Sequence, residues 1–210
     1  AASDVYKRQI ILLTNFIIVP GITYGSQLAL GAIGVTLIYG VLRFANFAYG
    51  DLMAFGTMIV ILVTWFLQSK GITFGLLPTA LLALPVGILL TIAVSLFFDK
   101  TVFEYYRNKK SDPVTFIVVS LGIMFVLNAV VRIIIGPNDI NFMDGHKFIM
   151  KAREFKQMTG LNEGLALKST QVITLITTII TCSILFYFLN KTKTGKSMRA
   201  YSNNEDLALL

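Results

Sequence analysis

Polar and ionisable side chains are scarce in the apolar runs of this chain, so those that occur there are the first candidates for chemistry. The stretch VLRFANFAYGDLMAFG, residues 41–56, places Arg43, Asn46 and Asp51 within nine residues, around a Phe-Ala-Tyr-Gly core. Two readings fit it. It is a connecting turn at a membrane surface, or it is polar backbone held inside the membrane, where an amide such as Asn46 and a flexible Gly50 serve the free peptide groups of a broken helix. Arg43 and Asp51 fall at segment ends, so the interface accounts for both charges. Asn15, Gln27, Asn128 and Arg132 are the other polar residues at or near membrane depth. Arg132 lies about one turn from the end of its segment and is expected to snorkel to the interface.

Catalysis inside a membrane needs a nucleophile with a base, paired carboxylates or a metal set within mutual reach. The sequence offers none of these. No carboxylate occupies the middle of an apolar run, which also speaks against a proton relay. Cys182 is the sole cysteine and His146 the sole histidine, so there is no internal disulfide and no Cys/His spacing for a metal. His146 reads as a solvated loop residue. TGKS at 194–197 imitates the tail of a phosphate-binding loop, but that motif needs glycine where Asn190 stands and a strand before it. The expectation is a non-enzyme without metal or cofactor, whose energy comes from a gradient or a partner subunit.

The elements that must position these residues are membrane spans. Hydrophobic residues make up 55% of the 210, charged residues 14%, and the mean hydropathy is +0.74, a balance outside the soluble globular range. Apolar segments run over 10–20, 26–42, 51–67, 74–98, 114–136 and 170–190, and all but the first are long enough to span. The predicted fold is an all-α polytopic membrane helical bundle of five to six segments over 10–190. Residues 1–9 read as a disordered or non-native leader, and 191–210 as a cytoplasmic loop. Segment 10–20 ends at Pro20-Gly21, which leaves open a short span, a re-entrant piece or the first half of a broken helix continuing through Gly25.

Most of the formal charge of +7 sits at segment ends and reads as topology rather than as a nucleic-acid surface. Lys100, Arg107, Lys109 and Lys110 mark the 99–113 connection as cytoplasmic. Lys191, Lys193, Lys196 and Arg199 do the same for the stretch after 190. Alternation then puts Arg43 and Lys7-Arg8 inside and the long 137–169 loop outside, although that loop is itself basic. Gly21, Gly25, Ala29 and Ala32 fall on one helical face, a seam for close helix packing. Thr174, Thr177, Thr178 and Thr181 form a stripe whose hydroxyls are expected to bond back to their own helix. At the C-terminal end, Ser202-Asn203-Asn204-Glu205 fits a capping box ahead of Leu207, Ala208, Leu209 and Leu210, so a short amphipathic helix is expected to start at Ser202. The chain stops within that helix and reads as a fragment. Such a helix serves equally as a membrane-surface element or as a docking element for a soluble partner.

Three stretches, taken in order, carry a family resemblance. GITYGSQLALGAIGVTLIYGVLRFANFAYGDLMAFG resembles the start of permease subunits of ABC importers for branched-chain amino acids, the LivH type, with their Asn-Phe-Ala-His-Gly core. SDPVTFIVVSLGIMFVLNAVVRIIIGP is similar to the family's middle span, which closes on Gly-Pro as Gly136-Pro137 does here. TKTGKSMRAYSNNEDLALL resembles its cytoplasmic loop. The resemblance covers about 16–210. It implies a passive pore half in a bacterial or archaeal cytoplasmic membrane, working with a second permease, two cytoplasmic ATPase subunits and an extracytoplasmic binding protein. It implies a gate or path role for Asn46, Phe47, Tyr49 and Gly50. It also implies an ATPase-coupling role for Gly195, Arg199, Ala200, Glu205, Leu207 and Ala208. Tyr49 departs from the usual histidine, keeping a donor and losing ionisation near neutral pH. Permeases for urea and short amides share the wider family, and a membrane scaffold recruiting a partner through its tail is the reading of another class.

Overall fold

The computed structural model describes residues 2–73, 77–138, 142, 144, 148–150, 152–159 and 166–203. Among the described residues, five helices are long and apolar enough to cross a membrane: α1 (Arg8–Leu42), α2 (Ala48–Ser69), α3 (Ala80–Asn108), α4 (Pro113–Ile135) and α6 (Ser169–Lys191). The short helix α5 (Ala152–Thr159) lies between strands β1 (Phe148–Met150) and β2 (Leu167–Lys168), and α7 (Lys193–Asn203) follows α6. The all-α polytopic architecture expected from hydropathy is the one observed. The chain divides into two compact units, residues 1–36 with 146–210, and residues 37–145.

The start of the chain departs from expectation. Segments 10–20 and 26–42 are one helix, and the polar opening is helical from Ala2 instead of forming a disordered leader. Pro20 does not break the helix because a π turn, Thr14–Ile18, immediately precedes it. Within that wider turn the Val19 N–H reaches back to the Thr14 carbonyl, so the register is already loosened where the proline lacks a donor. Arg8 and Arg43 therefore stand at opposite ends of one helix, and a single crossing cannot place both inside. At 1.5 Å per residue α1 is about 52 Å long, well beyond the roughly 30 Å hydrocarbon core.

In this first unit, the Asn15 side chain in the π turn accepts the Ala166 N–H at 3.1 Å, next to the antiparallel pairing of β1 with β2. Thr177 and Thr178 donate to carbonyls one turn back, the helix-internal bonding expected of that stripe. The expected helix start at Ser202 is overturned. The helix starts ten positions earlier, where extended Thr192 (φ −85°, ψ 151°) accepts the Gly195 N–H on its Oγ1 at 3.0 Å. Ser202 lies inside α7, and Glu205, Leu207 and Ala208 lie outside the described residues, as does His146.

The second unit is built on α2. Its contact with α3 is close because two glycines allow it: a Cβ on Gly56 would stand 2.7 Å from Thr91 Oγ1, and one on Gly87 would collide with Val60 Cγ2. Small residues of this kind let helix backbones approach where hydrocarbon supplies no hydrophobic drive. On its other side α2 packs along α4. The core joins Phe44, Ala48, Phe103, Ile123 and Leu127. Phe44 stacks on Phe116 at 5.2 Å and lies 5.9 Å from Phe103. Helix α2 ends in a Schellman turn, with Gly71 at φ 75° and Ile72 N–H bonded to the Leu67 carbonyl at 3.0 Å. Asp144 joins the two helix ends there. Its carboxylate accepts the Ala80 N–H at 2.6 Å, which caps α3, and the Gln68 amide at 3.0 Å.

The α2–α3 contact yields a paired test. Gly87→Ala is expected to lower the stability of the detergent-solubilised protein by about 1–3 kcal/mol, the usual cost of overpacking. Val60→Ala in the same chain should recover part of the loss by vacating the collision. Thermal unfolding of the two single variants and the double variant reads the coupling; simply additive losses would mean that the two positions are not in contact.

Candidate functional site

Helix α1 ends at Leu42, and Arg43 takes a left-handed conformation at φ 59°, a cost of roughly 1 kcal/mol or more for a residue with a Cβ. That reversal turns the chain so that Phe44 enters the aromatic core. Asn46 then does the work its amide suggested. Its Oδ1 accepts the Ala48 N–H at 3.1 Å, and its carbonyl lies 3.4 Å from the Tyr49 nitrogen. From the other side Ser120 of α4 accepts the Phe47 N–H at 3.2 Å, while its own hydroxyl donates to the Ile117 carbonyl at 2.7 Å. Ser120 is fully buried. The elbow's first helical donors thus end on side-chain oxygens instead of on water.

This elbow does not sit at the end of its unit. Ser120 is about 10 Å along α4 from Pro113 at the helical rise of 1.5 Å per residue, so α4 runs on past the elbow by that length. Helix α3 does the same, because Phe103 packs on Phe44 and the helix continues to Asn108. Within this unit the turn at residues 43–47 is therefore flanked by α3 and α4 and does not stand at their ends.

Asp51 has a partner on another helix. It lies near the start of α2, yet its Oδ1 accepts the Asn128 amide at 2.9 Å, and Asn128 is about 22 Å along α4 from Pro113. Arg132 donates its Nε to Asn128 Oδ1 at 2.8 Å. The exposed arginine expected to snorkel alone is therefore tied through one amide to a half-buried carboxylate. Nothing in the local sequence signals this chain, since Asp51 and Asn128 are 77 positions apart.

Of the predicted path residues, Asn46 and Tyr49 are partly buried, and Phe47 and Gly50 are exposed. The seam residues Gly21, Gly25, Ala29 and Ala32 are exposed, and a Cβ on Gly21 or Gly25 would meet nothing within 4 Å among the described residues. In the other unit, Gly195 of the predicted coupling loop is buried in the angle between α6 and α7. A Cβ there would collide with the Phe188 carbonyl and stand 2.7 Å from Leu189 Cα, both backbone. Arg199, one face along, donates to Asn190 Oδ1 at 2.9 Å, and Asn190 donates in turn to the Phe186 carbonyl at 2.9 Å. Ala200 is exposed on the same helix. TGKS forms part of α7. Sequence reading missed Thr192 and Asn190, the two side chains that fix this second elbow.

Residues 17–210 match the family described as "Branched-chain amino acid transport system / permease component". The chain belongs to this permease family. The match takes in both elbows. Among individual proteins, the chain is 25% identical over 194 residues to the high-affinity branched-chain amino acid transport system permease protein LivH of Escherichia coli K12, covering 90% of this chain. It is 24% identical over 201 residues to the permease protein BraD of Pseudomonas aeruginosa, covering 91% of this chain. In both cases the chain spans 59% of the relative's length. No solved structure matches it. As a permease with five apolar helices it is a multi-pass membrane protein.

Because the atoms around Gly195 are backbone and cannot swing away, Gly195→Val is expected to splay α7 from α6. Limited proteolysis of the detergent-solubilised protein should then cleave between Asn190 and Arg199 at least about tenfold faster than in the parent, the rate following the opened population. Equal rates would show that the angle tolerates a side chain.

Proposed function

We propose that this chain is the membrane-spanning permease subunit of an ATP-driven ABC importer that translocates branched-chain amino acids delivered by an extracytoplasmic binding protein. The observation that carries this reading is the family match over 17–210, a range that takes in the elbow at 43–47 and the α6–α7 angle. The subunit pairs with a second permease and two cytoplasmic ATPase subunits in a bacterial or archaeal cytoplasmic membrane. It hydrolyses nothing itself.

Roles for the two elbows follow from their construction. Asn46, Phe47, Tyr49 and Gly50 form a gate beside the solute path, where non-helical backbone is tolerated only against protein or a water-filled cavity. Gly195, Arg199 and Ala200, with Glu205, Leu207 and Ala208 beyond them, form the surface pressed by the ATPase. A rigid angle at Gly195 passes that motion to α6 as a rigid-body change instead of dissipating it in a loose linker. The exposed face of Gly21, Gly25, Ala29 and Ala32 takes a helix of the complete assembly, since in lipid such a face gains by backbone contact.

The full-length protein, reconstituted into liposomes with its partner subunits, tests the reading. Labelled leucine should accumulate only with ATP and the binding protein, and unlabelled valine and isoleucine should compete while urea does not. Accumulation of urea or short amides instead would reassign the solute. No ATP-dependent uptake of any of these would overturn the importer reading.

A further inference from the structure

Asp51 and Arg132 carry opposite charges on neighbouring helices, yet no direct ion pair joins them among the described residues. A carboxylate and a guanidinium that approach freely close into a direct, often bidentate, contact, which is the stronger arrangement. Here Asn128 stands between them. Its orientation is forced by its neighbours, because a carboxylate only accepts and a guanidinium only donates: Nδ2 donates to Asp51 and Oδ1 accepts from Arg132. The amide thus presents a donor end to the acid and an acceptor end to the base.

A zwitterionic α-amino acid has the same polarity, with an ammonium to donate and a carboxylate to accept, and it carries full charge at both ends. The two flanking groups retain capacity for it. Asp51 uses one of about four lone-pair positions in the Asn128 bond, and Arg132 uses Nε, leaving the four N–H donors on its two terminal nitrogens. Arg132 is exposed, and Asp51 and Asn128 are half-buried, so the chain is open on one side.

Depth adds a second observation. Gly56 meets Thr91, which puts Asp51 about level with Leu96 on the antiparallel helix α3. That is roughly 24 Å from Ala80 and 18 Å from Asn108 at 1.5 Å per residue. Arg132, by contrast, lies about one turn from the end of α4, so the two charges stand at different heights along these helices and a solute bridging them would run along the helix axes.

We propose that Asp51, Asn128 and Arg132 form a transit site for a zwitterionic solute, with the ammonium on Asp51, the carboxylate on the Arg132 terminal nitrogens, and Asn128 as the spacer that holds the charges apart when the site is empty. The inference rests on the importer reading and adds to it the residues that separate an amino acid from a neutral amide.

The test is direct binding to the solubilised transporter complex without its binding protein, using labelled leucinol, which has the ammonium alone, and labelled 4-methylpentanoate, which has the carboxylate alone. Asp51→Asn should weaken leucinol on the order of tenfold and spare 4-methylpentanoate, and Arg132→Gln should do the reverse, as loss of one charged hydrogen bond each. Asp51→Glu and Arg132→Lys should restore part of each loss. Equal losses of both analogues in either variant would mark the chain as a structural tie, and unchanged binding would remove it from the path; either result overturns the proposal. Parallel uptake assays on the parent transporter keep the two levels apart. ATP-dependent leucine uptake with an unchanged analogue profile sinks the site and leaves the importer reading standing, whereas no uptake sinks both.

Discussion

A peptide group that leaves a helix must find a new partner, and at residues 43–47 the chain leaves the helix against two neighbouring helices. The elbow meets this constraint with two side chains, Asn46 from within and Ser120 from α4, and with Phe44 locked among Phe103 and Phe116. Each buried group left unpaired would cost roughly 1–3 kcal/mol. The arrangement of the second unit follows from that requirement. Helix α4 has to pass close enough for Ser120 to reach Phe47, and the aromatic contact fixes how far α3 and α4 extend beyond the turn.

The recess decides where charges end up. A turn at the bundle's end would have left Asp51 in the headgroup region, where it needs no explanation. Because the turn is flanked by α4, Asp51 comes within reach of Asn128, which donates to its carboxylate. The contrast with Asp99 is instructive. Asp99 pairs bidentately with Arg107 at 2.8 and 2.9 Å, but both side chains are nearly half exposed, so that ion pair contributes little to stability. The chain Asp51–Asn128–Arg132 keeps its opposite charges apart, and it therefore has bonds left to offer.

Hydropathy made the spans legible, since α2, α4 and α6 fall close to the segments 51–67, 114–136 and 170–190, while α3 starts six residues after and ends ten residues after the segment 74–98. It misjudged the first because Pro20 is a breaker only where the preceding turn is a regular α-turn, and a π turn carries no strong sequence mark. The capping box at Ser202 lost to Thr192, whose extended backbone and hydroxyl cap a helix ten residues earlier. The amide role of Asn46 could be read from its type and place. Ser120, Asn128, Gly56 and Gly87 could not, because each acquires meaning only from a residue on another helix, and continuous apolar runs hide which face of a helix meets a neighbour.

The depth of the elbow is the claim on which the rest stands, and it can be measured directly. With Cys182 replaced by serine, a bimane fluorophore attached at Phe47→Cys, a position 51% exposed, is reconstituted in bilayers of lipids brominated at defined acyl carbons. Quenching should be strongest with bromines in the middle of the acyl chain, as for a label at Ile92, which is 50% exposed in mid-helix. A quenching profile that instead follows a label at Asn108, strongest near the headgroups, would return residues 43–47 to the membrane surface and contradict the recessed elbow.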